Sequence, residues 1–147
     1  MNRRGALSSL FSWLSVSLLN CIPPQKKLER KPSDHLILRR FSLPTYPPLL
    51  RQAWAEGEVS TTIQISEKGT VRSVADFSGP KLFYDEIERA LRKWEFDNTE
   101  RSITELRVSF RFALRGQRDQ RCLYYQVSGT LPDSFLIEAN PFPDTYS

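Results

Sequence analysis

Two runs of alternating apolar and polar residues constrain the fold of this chain more than any other feature. In the first run, EVSTTIQIS, one face carries Val59, Thr61, Ile63 and Ile65. In the second run, ELRVSFRFAL, one face carries Leu106, Val108, Phe110, Phe112 and Leu114. A period of two is the pattern of a β-strand with one buried side. The chain is therefore expected to build a sheet with one covered face.

The stretch between these runs predicts an amphipathic helix that covers the buried face of the sheet. Gly79-Pro80 ends one strand and begins the helix, where a missing backbone N–H costs little. A single apolar stripe at helical spacing then carries Phe83, Ile87, Ala90, Leu91 and Trp94. Phe96 follows as an anchor against the sheet, and the charged residues of the helix are expected to face solvent.

A shorter helix and a hairpin are predicted before this point. In YPPLLRQAWAEG, apolar residues at helical spacing are Leu49, Leu50, Ala53 and Trp54, and Gly57 suits the left-handed position after a helix. EKGT, residues 67–70, predicts a hairpin turn, and VRSVADFS predicts the return strand, with Asp76 as its discordant residue. The fold class is therefore α+β, a three-stranded antiparallel sheet with two helices on one face, in the order helix, strand, strand, helix, strand.

The first 21 residues read as a signal peptide or a short membrane anchor. Two arginines precede an apolar stretch of about 15 residues, which is short of the roughly 20 that a membrane span needs. LLNC, ending at Cys21, is similar to a lipidation motif and makes Cys21 a candidate lipidation site. The basic cluster KKLERK follows closely, and positive charge favours the cytoplasmic side, so an uncleaved, inverted anchor stays open.

Four segments follow from this organisation: 1–21 as signal or anchor, 22–43 as a basic proline-containing linker, 44–115 as the patterned domain and 116–147 as a β-prone tail. In the tail, RCLYYQVSG and SFLIEAN are separated by the turn signal TLPD and allow a C-terminal β-hairpin. That hairpin would lie against the last strand of the domain. The final ANPFPDTYS is expected to be a loose end.

Residues that carry common catalytic chemistry are scarce in this sequence. The single histidine, His35, has no second histidine for a metal site or triad, and Cys21 and Cys122 lie far apart. Neither a Walker loop nor GxGxxG occurs. We therefore expect no enzyme activity, no catalytic residues, no metal and no cofactor.

The net charge of +4 raises the question of a nucleic-acid partner. Binding of single strands by stacking needs outward aromatic side chains, whereas Phe110 and Phe112 are predicted to face the core. We expect no nucleic-acid partner.

A series of short motifs, in a fixed order over about half of the chain, resembles the C-terminal domain of TonB energy transducers. These motifs comprise Tyr46-Pro47 with Ala53, Gly57 with Val59, Gly69 with Val71 and Val74, Ser78-Gly79 with Leu82, Ala90 with Trp94 and Phe96, and Val108 with Phe110, Phe112 and Leu114. The resemblance implies a binding module that receives a short peptide, the TonB box of an outer-membrane transporter, as an added strand beside its last strand.

Carried over by position, the docking strand covers residues 107–112, and the partner-binding residues are Arg107, Val108, Ser109, Phe110, Arg111 and Phe112. Main-chain hydrogen bonds to an open sheet edge would supply the affinity. The outward Arg107 and Arg111 would favour an acidic partner, although a solvated sheet face is an equally good interpretation of these arginines.

The resemblance further implies a location in the periplasm or cell envelope, with possible anchorage to a membrane. Expected partners are a TonB-box-like receptor peptide or another envelope protein, and inner-membrane motor proteins. Residues 22 to 45 reach at most roughly 80 Å when fully extended, which is short for bridging two membranes. A periplasmic or lipid-anchored structural module without energy transduction therefore stays open as the alternative.

Overall fold

Two β-sheets and two short helices account for the elements of the structure, a computed structural model that describes residues 28–30, 36–116 and 125–141. In chain order the elements are β1 (Leu28–Arg30), β2 (Leu36–Arg40), α1 (Pro48–Gln52), β3 (Gly57–Ile65), β4 (Val71–Ser78), a 3₁₀ turn (Lys81–Phe83), α2 (Tyr84–Leu91), β5 (Glu95–Asn98), β6 (Thr104–Leu114), β7 (Tyr125–Leu131) and β8 (Ser134–Ala139). The mixed α+β class with two helices and antiparallel pairing agrees with the sequence prediction.

The large sheet has six strands, in the order β1-β7-β8-β6-β3-β4, and β2 and β5 form a separate two-stranded sheet. The predicted three-stranded sheet is therefore wrong in extent. β3 pairs antiparallel with β4 and β6, as expected, but β7 and β8 form an antiparallel hairpin that extends the sheet beyond β6. The alternation that marks β3 and β6 shows only that one face is covered. It does not show how many further strands pair at the edge.

The core lies on the predicted face of the large sheet. The two alternating runs bury Val59, Ile63, Ile65, Val108, Phe110 and Phe112, and the tail hairpin adds Phe135, Ile137 and Ala139. The helical stripe is buried throughout, with Phe83, Ile87, Ala90, Leu91 and Trp94 each no more than 4% exposed. The prediction for this amphipathic helix is confirmed.

The first helix is shorter than its apolar pattern predicts. α1 contains no buried side chain: Leu50 packs against the core, but Leu49 is 75% exposed and Trp54 is 47% exposed. The left-handed position after the helix belongs to Trp54, with φ 56°, whereas Gly57 begins β3. A Cβ at Gly57 would come within 2.6 Å of the Pro80 ring, so close packing explains this glycine better than helix capping does.

The β3–β4 turn connects the two sheets. Gly69 has φ +83°, and its backbone carbonyl accepts a 2.8 Å hydrogen bond from the N–H of Phe96 in β5. A Cβ at Gly69 would lie 1.8 Å from the Phe96 carbonyl oxygen, so only glycine fits there. The hairpin predicted from EKGT is present.

A bulge disrupts the outer edge of β4. Asp76 and Phe77 together face the single residue Thr61, and Asp76 is exposed with φ 52°, a conformation that aspartate tolerates better than most residues. A bulge at a sheet edge hinders pairing with another chain. The discordant residue of the sequence is therefore the residue that interrupts this edge.

Part of the segment predicted to be a linker belongs to the folded domain. Leu36–Arg40 forms β2, which pairs antiparallel with β5. Leu38 is buried against the core, and the indole N–H of Trp94 donates to the carbonyl of Ser42 at 2.7 Å.

Phe135→Ala should lower the free energy of unfolding by about 3–5 kcal/mol, because it removes a buried aromatic ring from a packed core. Phe135 is 2% exposed and stacks on Phe110 at a centroid distance of 5.2 Å. The matched control Leu49→Ala, at an exposed position, should change the free energy of unfolding by no more than about 0.5 kcal/mol. Urea denaturation measures both; equal effects would mean that the hairpin does not pack on the core.

Candidate functional site

The strand predicted to bind a partner is β6, an internal strand near the middle of the large sheet. Its inward side chains, Val108, Phe110 and Phe112, are at most 1% exposed and belong to the core. Arg107 and Arg111 are exposed on the opposite face, and Ser109 is half-buried. The predicted inward and outward directions of these six side chains agree with the structure.

The backbone of β6 has partners on both sides along only part of its length. β3 pairs with it over residues 104–112, and β8 pairs with it in parallel over residues 109–114. The predicted site therefore divides at Ser109. Over residues 109–112 both edges are occupied by strands of this chain, whereas no described strand lies beside the other edge over residues 104–108.

Over residues 104–108, the backbone groups of Glu105 and Arg107 point to the side of β6 that has no described partner strand. The N–H of Ser109 donates to the carbonyl of Asp133 at 2.8 Å, so it points away from β3. In an antiparallel ladder, the N–H and C=O of alternate residues point to the same side. The N–H and C=O groups of Glu105 and Arg107 consequently point away from β3 as well. We call residues 104–108 the open edge.

Charges of both signs lie on the outward face beside the open edge. Arg107 donates from Nη2 to the hydroxyl of Ser60 at 2.9 Å, and Glu105 lies two positions away on the same face. Arg111 stands directly opposite Glu58 across the β3–β6 pair. The preference for an acidic partner thus stays a prediction, and the acidic neighbours weaken the positive field on which it depends.

A polar clasp between α1 and the end of β8, which the sequence did not predict, lies at the far end of the sheet. Arg51 donates from Nε to the backbone carbonyl of Asn140 and from Nη2 to its Oδ1, both at 2.7 Å. Asn140 is 2% exposed, so the tail is fixed at this point rather than loose. Arg51 has the appearance of an ordinary solvent-facing helix residue, and its partner is 89 positions away, so no local pattern marks the clasp.

Two tyrosines near this clasp make hydrogen bonds to backbone carbonyls, and burial raises the pKa of each hydroxyl. The hydroxyl of Tyr46 donates to the carbonyl of Ala55 at 2.6 Å, and that of Tyr125 donates to the carbonyl of Pro44 at 3.2 Å. Burial, with a smaller contribution from Glu56, raises the pKa of Tyr46 to about 12. Burial also raises the pKa of Tyr125 and lowers the pKa of Arg51. The bonds of Tyr125 and Arg51 join the segment around α1 to the tail hairpin.

Several sequence predictions fall on residues outside the described ranges. These are the signal or anchor segment 1–21 with Cys21, His35 and Cys122. Within the described ranges, no three histidine, cysteine or acidic side chains are close enough to hold a metal ion. The helices described there are also too short, or not apolar enough, to cross a membrane.

Tyr46→Phe should lower the free energy of unfolding by about 1 kcal/mol at pH 7, because it removes the bond to Ala55. It should also flatten the alkaline pH dependence. The pKa of Tyr46 is about 12 in the folded protein and 10.0 for an ordinary tyrosine. The hydroxyl therefore contributes its full stabilisation below pH 10 and loses it as the pH rises toward 12. Urea midpoints measured from pH 8 to pH 11.5 check this, and parallel pH profiles for the two proteins would contradict it.

Comparison with known proteins supports the fold through structure alone. No protein-family model matches the sequence, and no curated protein matches it significantly. The solution NMR structure of the Pseudomonas aeruginosa TonB CTD is similar to this chain, with a TM-score of 0.53 and 18% sequence identity. The match covers 62% of this chain and 98% of that one. The chain thus has a fold similar to that of a TonB C-terminal domain.

Proposed function

We propose that this chain is an exported protein-binding domain of the bacterial envelope, which binds an extended segment of a partner by strand addition to β6. The observation that carries the proposal is the open edge, residues 104–108 of β6, in a domain whose fold is similar to a TonB C-terminal domain. The signal-like N-terminus supports export to the periplasm or cell envelope. The proposal includes no catalysis and no cofactor.

Strand addition suits the open edge because its affinity comes from main-chain groups. Two residues, Glu105 and Arg107, present N–H and C=O groups that an incoming strand can pair with. In the part of the sheet formed by β6, β3 and β4, the other outer edge is that of β4. There the bulge at Asp76 disrupts the line of backbone donors and acceptors. Between these two edges, the one on β6 is the better acceptor.

The proposed partner is a TonB-box-like segment of an outer-membrane receptor, or a segment of another envelope protein. The alternative is a structural or interaction module of the envelope without energy transduction. One observation favours that alternative: β8 already pairs with residues 109–114, which shortens the edge available to a receptor peptide. Contact with inner-membrane motor proteins distinguishes the two.

Photo-crosslinking in cells tests the proposal. With Glu105→p-benzoylphenylalanine in the full chain, irradiation should give adducts with envelope proteins, which mass spectrometry identifies. The matched control is the same residue at Lys81, which is exposed on the 3₁₀ turn. Adducts of equal yield at both positions, or none at position 105, would refute binding at the open edge. Receptor or motor proteins among the adducts would favour transduction over the structural alternative.

A backbone variant shows whether strand addition is the mode of binding. Arg107→Pro removes the N–H that points into the open edge, while the β3 ladder keeps its bonds from the neighbouring residues. The adduct yield from position 105 should fall roughly fivefold to tenfold, since a hydrogen bond of ordinary strength is lost. Arg107→Gln keeps the N–H and should retain most of the yield. Similar losses in both variants would indicate that the arginine side chain, rather than the backbone, binds the partner.

A further inference from the structure

The β7–β8 hairpin occupies the part of the β6 edge that lies directly beside the open edge. β8 runs parallel to β6 with Ser134 opposite Ser109 and Ala139 opposite Leu114. The turn before β8 follows the same line, since the carbonyl of Asp133 accepts the N–H of Ser109 at 2.8 Å. A strand added at the open edge would therefore meet this turn end-on.

The side chains of the hairpin are part of the main core. Ile137 and Ala139 are fully buried, and Leu131 is 8% exposed. Phe135 stacks on Phe110 and also contacts Trp94 edge-on, with ring centroids 5.5 Å apart. Lifting β8 away from β6 would expose all four side chains and uncover Phe110 and Trp94.

Hydrogen bonds hold β8 at both of its ends. At the start, Asp133 accepts from Ser109 as described; at the end, the N–H of Arg115 donates to the carbonyl of Ala139 at 2.9 Å. The next residue, Asn140, is held by the two bonds from Arg51. Glu138, 6% exposed, also accepts from Nε of Arg115 at 2.9 Å. Displacement of the hairpin would break contacts at the beginning and the end of the strand together.

We infer that the hairpin is a permanent neighbour of β6 rather than a cover that a partner displaces, so a partner strand pairs with residues 104–108 alone. Displacement of the hairpin would expose three large apolar side chains, Leu131, Phe135 and Ile137, together with the methyl group of Ala139. At the usual free energy per buried side chain, fewer than about one molecule in ten thousand would have the hairpin displaced. This inference rests on the proposed function and specifies its partner. Within the described ranges, the chain supplies its own strand to residues 109–114 of the β6 edge, and residues 104–108 are left for a short external segment.

The dimensions and side chains of the open edge define that segment. Five residues span about 17 Å in a strand, and beyond them the segment must end or leave the plane of the sheet at the turn before β8. Leu106, half-buried on the core side, favours an apolar central residue in the partner. Glu105 and Arg107 on the other face favour polar neighbours of opposite charge on each side of it. The partner is therefore a short extended peptide segment with a central apolar residue.

Native-state amide exchange of the full chain tests the permanence of the hairpin without any partner. The amides of Arg111, in β6, and of Ile137, in β8, should exchange with the same free energy as that of Ile63 in β3, because all three open only on global unfolding. The amides of Glu105 and Arg107 should exchange at least about a hundredfold faster. A separate, lower-energy opening shared by Arg111 and Ile137 would overturn the inference.

A disulfide staple tests the same inference in the presence of a partner. Ser109→Cys and Ser134→Cys join directly opposed residues of β6 and β8, in a background with Cys21→Ser and Cys122→Ser. The probe is the photo-adduct from position 105, compared between the oxidised staple and its unstapled parent. Equal yields support a fixed hairpin. Loss of the adduct only in the stapled protein would overturn the inference, while the proposed function stands. Absence of adducts from the unstapled parent as well would reject the proposed function. Amide exchange would then show whether the hairpin stays paired with β6.

Discussion

The aromatic contact among Phe110, Phe135 and Trp94 joins the separate parts of this domain. Phe110 lies on the central strand β6, Phe135 on the tail hairpin and Trp94 after the second helix; the three rings pack at centroid distances of 5.2 to 6.3 Å. The indole N–H of Trp94 also donates to the carbonyl of Ser42, which fixes the segment between β2 and α1. One buried ring cluster thus holds four stretches of chain that are distant in sequence, and the tail is as much a part of the core as the strands that precede it.

This packing determines which part of the β6 edge the described strands leave unpaired. A core that includes Phe135 and Ile137 keeps β8 beside residues 109–114, so among the described strands the edge of β6 has no partner only over residues 104–108. At the opposite edge of the sheet, the bulge at Asp76 interrupts the row of backbone donors and acceptors of β4. This unpaired part of β6 shares only Arg107 and Val108 with the docking strand predicted at residues 107–112.

The parts of the site that were predictable follow from local periodicity. The inward and outward directions of Arg107, Phe110 and Arg111 are fixed by alternation in a strand with one buried face. The pairing of the β6 backbone with β8 was not predictable in the same way, because β8 comes from residues beyond the domain boundary placed at 115. The tail pattern allowed a hairpin against the last strand, but its parallel register from Ser109 depends on how Phe135 fits the core.

The sequence by itself determined the covered face of the sheet, the stripe of the second helix and the turn at Gly69, since each depends on spacing or backbone conformation within a few residues. Tertiary structure decided the rest. It added strands before and after the predicted domain, reduced the first helix to a segment with no buried side chain, and set the clasp between Arg51 and Asn140. These features depend on residues dozens of positions apart meeting in space, and periodicity records which face is buried but not what buries it.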